Sequence, residues 1–267
     1  MFDILTYPFM QRAFIAGIII AVLLGWLGVY AIARKMSFVG DGVAHASLAA
    51  VALAILLGWS PLPVALVASV FIATGIHLLG KTKNVSQDTA IGVIFVTGMA
   101  LGIILLQFYE GYVPELVSYL FGNLLAIRTV DIYVMGVVGV LIFMTLLLLR
   151  RQFIFLTLDP EGAAMSGIKR SPLELLLTIL IAVTVVLSIK VVGIVLVSGL
   201  LILPSTVGKM LSRSFVQFEW YSVIASIFFV ILGLILSYYF DLPSGATIVM
   251  VGVATLLVVG LMNAIKK

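Results

Sequence analysis

The 267-residue chain is 63% apolar and only 10% charged, with a mean hydropathy of +1.32, against roughly 25% charged and 45–50% apolar for a soluble domain. That balance excludes a soluble enzyme and predicts one membrane domain over residues 1–267. The net charge of +4 comes from basic residues set beside apolar runs, which argues against nucleic acid as a partner, and the lack of cysteine removes disulfides, thiolate metal sites and thiol catalysis.

Nine apolar runs are expected to be membrane helices: 12–34, 42–58, 61–79, 88–107, 130–149, 172–189, 191–207, 220–240 and 243–264. The first imitates a secretion signal, but 13–33 is long enough to span and too long for a signal core. Ser60-Pro61 predicts an N-cap with proline in the first turn, and Ser171-Pro172-Leu173-Glu174 predicts a capping box. The stretch 191–204 is short and holds Gly193 and Gly199 before Pro204, so a broken or re-entrant helix is expected there. Between the fourth and fifth runs, 111–128 is too polar to span and has apolar positions at helical spacing, which predicts an amphipathic surface helix. Gly98 and Gly102 form a GxxxG pair, read as close helix packing.

Lys and Arg fix the expected orientation. With the N-terminus outside and the C-terminus in the cytoplasm, Arg34, Lys35, Lys81, Lys83, Arg150, Arg151, Lys169, Arg170, Lys209, Arg213, Lys266 and Lys267 are inside, and only Arg12, Arg128 and Lys190 are outside. Lys190 either snorkels to the outer surface or faces a pathway. Glu110 and Glu115 with Tyr109 and Tyr112 form an outer acidic aromatic patch, read as solvated loop charge.

Ionisable groups within membrane runs point to function. Asp41 and His45 stand at i and i+4, one helix face, with a carboxylate oxygen and an imidazole nitrogen in reach of one divalent cation such as Zn, Mn or Fe(II). The structural alternative has Asp41 capping its helix and His45 bonding a neighbouring helix. Two ligands do not complete a site, so the rest come from elsewhere in the bundle, water or a second subunit. Gly75-Ile76-His77-Leu78-Leu79-Gly80-Lys81-Thr82 matches a phosphate-loop pattern but ends an apolar helix whose amides are already bonded. That match is therefore rejected, and His77 is read as an interfacial residue. Residues 203–215 form a short basic segment with Met210, Leu211 and Phe215, suited to docking in a partner's groove or lying on the membrane; the inner loop 158–167 is a second docking candidate.

Four stretches, 37–48 around Asp41 and His45, Asp88-Thr89-Ala90-Ile91-Gly92, 192–204, and Leu242-Pro243-Ser244-Gly245-Ala246-Thr247, together resemble the permease subunit of zinc and manganese ABC importers. The last two stretches are also similar to vitamin B12 and siderophore permeases. The resemblance implies an all-α, polytopic transmembrane bundle of about eight or nine membrane helices. It implies that Asp41 and His45 bind the transported metal, and that the segment after Pro204, including Ser205, Lys209 and Arg213, is the coupling helix that docks the ATPase. It further implies alternating access, cytoplasmic ABC ATPase subunits, an extracytoplasmic metal-binding protein, a second copy of the permease, a prokaryotic plasma-membrane location and no enzymatic activity of its own. No permanently bound cofactor is expected, only transported Zn2+ or Mn2+, with Fe2+ a third cargo. Manganese members often carry Pro-Gly after the Asp/His stretch; Ala49-Ala50 stands there in this chain and tilts the expectation toward zinc.

A gradient-driven divalent-cation carrier or channel is the competing class, disfavoured because the acids sit near the ends of runs. An intramembrane enzyme is disfavoured by the lack of a nucleophile and base in a working arrangement.

Overall fold

A computed structural model of the chain describes residues 6–109, 119, 120, 122 and 127–265. The expected amphipathic helix over 111–128 and the patch at Glu110, Tyr112 and Glu115 lie largely or wholly outside the described residues.

The described residues form ten helices and no strand: α1 (Pro8–Ala33), α2 (Val39–Leu56), α3 (Pro61–Gly80), α4 (Gln87–Leu106), α5 (Thr129–Leu158), α6 (Pro160–Met165), α7 (Arg170–Val192), α8 (Ile194–Leu211), α9 (Phe215–Phe240) and α10 (Ser244–Ile265). Eight of these are long and apolar enough to cross a membrane, namely all but α6 and α8. Pro61 opens α3 as expected, although the Ser60 side chain makes no cap bond, and the Ser86 hydroxyl caps α4 by accepting from the Thr89 amide at 3.1 Å.

Helices α1, α2 and α7 are the inner layer, mostly buried, while α3, α4, α5, α9 and α10 show most of their surface to the outside. Helix α1 packs on α5, α7, α8 and α9, and α2 packs on α3, α4, α7 and α8. Hydrocarbon offers no partner to a polar group, so hydroxyls turn back onto their own helices. Thr184, Ser188, Ser222 and Thr247 each donate to the carbonyl four residues earlier at 2.6–2.9 Å.

Close approach of α2 and α4 depends on the GxxxG pair. A Cβ at Gly98 would lie 2.5 Å from the Ala46 Cα, and one at Gly102 would lie 3.0 Å from the Ala49 amide nitrogen. Both obstacles are backbone, which cannot step aside.

Three departures from the expected layout have physical causes. The break expected within 191–204 lies at Gly193, where α7 ends and α8 begins with φ 89° and ψ 158°, a conformation open essentially to glycine alone, while the segment after Pro204 departs from expectation. Helix α8 runs on through Pro204 to Leu211, and no separate helix lies between Pro204 and the start of α9 at Phe215. Helix α5 does not stop at Leu149 but continues past Arg150 to Leu158, because Arg150 is neutralised in place. The third concerns Ser171-Pro172-Leu173-Glu174. Helix α7 already begins at Arg170, with Lys169 at its N-cap and no side-chain cap. Ser171 and Glu174 bond to other helices instead.

The neutralising partner of Arg150 is Glu219 of α9, 4% exposed. Its Oε2 accepts from Arg150 Nε at 3.0 Å and Nη2 at 2.5 Å, and its Oε1 accepts from Trp26 Nε1 at 2.9 Å and the Tyr30 hydroxyl at 2.8 Å. Four donors from α1 and α5 thereby fasten α9. Removing one member of a buried pair strands the other charge, whereas replacing both with apolar groups does not. Arg150→Gln is expected to cost about 3 kcal/mol, read as a lowered thermal unfolding midpoint of the purified protein, and the Arg150→Leu/Glu219→Leu double variant to recover only part of it, because Trp26 and Tyr30 then lose their acceptor. Gly98→Ala is expected to cost about 1–3 kcal/mol by overpacking, seen in the same measurement.

Candidate metal site

Asp41 lies in the first turn of α2 and His45 one turn later, both half-buried on a helix that is otherwise mostly buried. The two residues face the junction of α2 with α4 and α8. Ser198 of α8 donates its hydroxyl to Asp41 Oδ1 at 2.7 Å. Gly40 leaves room for this approach, since a Cβ there would meet Ser198 Oγ at 2.9 Å. On the α4 side, the His45 ring lies against Phe95 with centroids 4.9 Å apart.

The His45 tautomer follows from its partner. Nδ1 lies 3.0 Å from the backbone carbonyl of Asp41, which only accepts, so Nδ1 carries the proton and donates. In the neutral ring the Nε2 lone pair is then free, the state in which imidazole binds a metal. The expected structural role, His45 bonding a neighbouring helix, is not what is seen; the bond is within α2.

Asp41 differs from the other acids that meet inside the bundle. Asp131 is paired with Lys190 at 2.5 Å, Glu174 with Arg34 at 2.5 Å and Arg170 at 2.9 Å, and Glu219 with Arg150 at 2.5 Å. Among the described residues Asp41 has no ion pair, and its bonded oxygen is held by a neutral hydroxyl. No group of three or more His, Asp or Glu side chains able to hold a metal comes together among the described residues. The protein ligands available at this junction are therefore Asp41 and His45. Next to them on α2, the Ser47 hydroxyl lies 3.1 Å from the Tyr119 hydroxyl, and burial pushes that phenol's pKa up, keeping it neutral.

The remaining expected site residues separate into two environments. Pro204 and Ser205 are buried inside α8, and the Ser205 hydroxyl donates to the Leu201 carbonyl at 3.1 Å. This pair presents no surface to a docking partner. Lys209 and Arg213 are exposed at the far end of α8, where Asn263 of α10 bonds the Met210 carbonyl at 3.2 Å. The phosphate-loop look-alike is helical through Gly80, so its amides are spent within α3. His77, in the last turn of α3, is buried, with Nε2 3.3 Å from Ser171 Oγ. Lys190, in the last turn of α7, is clasped by Asp131 of α5.

Ser198 and Glu219 were not singled out by the sequence. Serine in an apolar run is unremarkable by composition, and only the α2–α8 contact gives Ser198 a role. Glu219 did leave a signal, an acid directly before the run at 220–240 with Trp26 and Tyr30 one turn apart on another helix.

The profile of the ABC 3 transport family matches residues 6–264. The manganese transport system membrane protein MntC of Halalkalibacterium halodurans is 32% identical over 93% of this chain and 85% of its own length. The high-affinity zinc uptake system membrane protein ZnuB of Haemophilus influenzae is 32% identical over 93% of this chain and 94% of its own. Among solved structures, PsaBC from Streptococcus pneumoniae in complex with Fab superposes with a TM-score of 0.84 at 28% identity, covering 95% of this chain and 91% of that one. These near full-length matches agree, and the chain belongs to the ABC 3 transport family.

Proposed function

We propose that this chain is the membrane-spanning subunit of an ATP-driven importer of divalent transition metal ions, and that Asp41 and His45 are protein ligands of the ion in the path. The observation that carries this reading is the carboxylate of Asp41, which alone among the acids meeting inside the bundle lacks a basic partner among the described residues. A cation supplies the missing charge, and the free Nε2 lone pair of His45 supplies a second ligand one turn away.

The chain holds no ATPase motif of its own, so the energy comes from separate cytoplasmic ABC subunits. An extracytoplasmic binding protein delivers the ion, and a second copy of the chain completes the path. The basic ends of α1, α3 and α7 face the cytoplasm by the positive-inside rule; with α8, an apolar helix of 18 residues, crossing as well, the N-terminus lies outside and the C-terminus inside. ATPase docking falls to the exposed Lys209 and Arg213 and, as a separate candidate, to α6, whose Met165 is 90% exposed. Zinc is favoured over manganese by Ala49-Ala50; relatives are named for both metals.

In the alternating-access cycle Ser198 parks the Asp41 carboxylate. Movement of α8 away from α2 releases the oxygen for the metal, and return of the hydroxyl helps the metal leave. Ser198→Ala is expected to tighten equilibrium zinc or manganese binding to the purified chain about tenfold, the worth of one hydrogen bond to a charged group, while Ser198→Thr keeps the wild-type value. Weaker binding in the alanine variant would refute the parking role.

The decisive test uses proteoliposomes holding the chain with its ATPase and binding protein. Asp41→Ala and His45→Ala are each expected to cut ATP-dependent uptake of radioactive zinc and manganese by more than about tenfold without lowering the amount of protein in the membrane. Full uptake in either variant removes that residue from the path. Uptake by vesicles holding this chain alone, driven by a gradient, overturns the importer reading.

A further inference from the structure

A polar cavity of about 430 Å³ lies where α1 and α3 end and α4 and α7 begin. Arg34, His77, Lys81, Arg170, Ser171 and Glu174 line it. Three permanent cations face one carboxylate, and that carboxylate is already committed. Glu174 Oε1 accepts from Arg34 Nη2 at 2.5 Å and from Arg170 Nε at 2.9 Å. Lys81 donates to the Ser171 hydroxyl, which also meets His77.

The cavity is thus short of acceptors rather than donors. Arg34 Nη1 is buried and has no hydrogen-bond partner among the described residues. A buried guanidinium N–H without an acceptor is costly, and native structures rarely tolerate one unless something else supplies the oxygen. Lys81, exposed at the rim, keeps further protons free after bonding one hydroxyl. A divalent cation is repelled by the charge excess and finds the carboxylate taken. The set matches a tetrahedral oxyanion, whose several oxygens can accept from a guanidinium and an ammonium together.

We propose that this cavity binds a phosphate-type oxyanion, either the headgroup phosphate of an anionic phospholipid or a free phosphate. The wall beside it is formed by α3, whose Phe71 and Leu78 are exposed and apolar, a surface along which acyl chains can lie. If the orientation proposed above holds, the cavity opens at the cytoplasmic leaflet, where anionic lipids gather and basic pockets between membrane helices take their headgroups. The binding itself does not depend on that orientation, nor on metal transport.

The test uses the full-length chain, purified and delipidated in a neutral detergent, with phosphatidylglycerol, phosphatidylcholine and inorganic phosphate as separate probes. Saturable binding is read as a rise in the thermal unfolding midpoint and as lipid retained through gel filtration. Phosphatidylglycerol or phosphate is expected to bind and phosphatidylcholine to bind more weakly. Lys81→Gln, a change at an exposed position, should weaken binding about fivefold, the effect of one cation near an anionic surface. Glu174→Gln, which removes the competing carboxylate, should strengthen it. Binding of phosphatidylglycerol without phosphate assigns the site to lipid, and binding of phosphate alone at equal strength assigns it to a free anion; both support the site. No saturable binding of either, equal binding of phosphatidylcholine, or affinities unchanged in both variants overturns it.

Discussion

A charged side chain inside a low-dielectric bundle must be matched, and the structure of this chain is organised by that rule. Glu219 satisfies it four times over, drawing donors from α1 and α5 onto α9. Asp131 and Lys190 satisfy it between α5 and α7, and Glu174 with Arg34 satisfies it between α7 and α1. These clasps sit toward the two ends of the helices and hold the inner layer in register. Asp41 satisfies the rule only with a hydroxyl, and the functional reading of the chain grows from that exception.

Most of the bundle was legible in the sequence because the bilayer simplifies the code. Length and hydropathy alone mark the runs, and eight of them are helices long and apolar enough to span. Gly98 and Gly102 announced the α2–α4 contact because nothing larger fits against the Ala46 and Ala49 backbone. Local signals misled where tertiary partners outbid them. Ser171 and Glu174 form the pattern of a capping box, yet Glu174 is drawn to two arginines and Ser171 to His77 and Lys81. Arg150 suggested the end of a helix, and Glu219, some seventy positions away, let the helix continue. The short stretch 191–204 suggested a broken helix, and the chain does turn within it at Gly193, but the segment expected to form its own helix after Pro204 is a continuation of α8.

The candidate site was legible in its residue types but not in its geometry. Spacing placed Asp41 and His45 on one face. It did not reveal that the imidazole proton is spent on the Asp41 carbonyl, nor that Ser198 of α8 holds the carboxylate. Both facts come from backbone and side-chain partners that no linear spacing encodes. They also tie the two ligands to different helices: His45 rests against α4 through Phe95, and Asp41 reports on α8.

The joint at Gly193 has a mechanical meaning. Helices α7 and α8 are separated by that single residue, so α8 cannot slide freely along its predecessor but can swing about the glycine. At 1.5 Å per residue Ser198 sits about 7.5 Å from the fulcrum and Leu211 about 27 Å. A push delivered at the outer tip is therefore geared down more than threefold at the carboxylate. Tilting the tip by about 4 Å shifts the serine by about 1 Å, enough to stretch a hydrogen bond past its useful length. Coarse strokes at one end of such a lever translate into fine adjustment at the other.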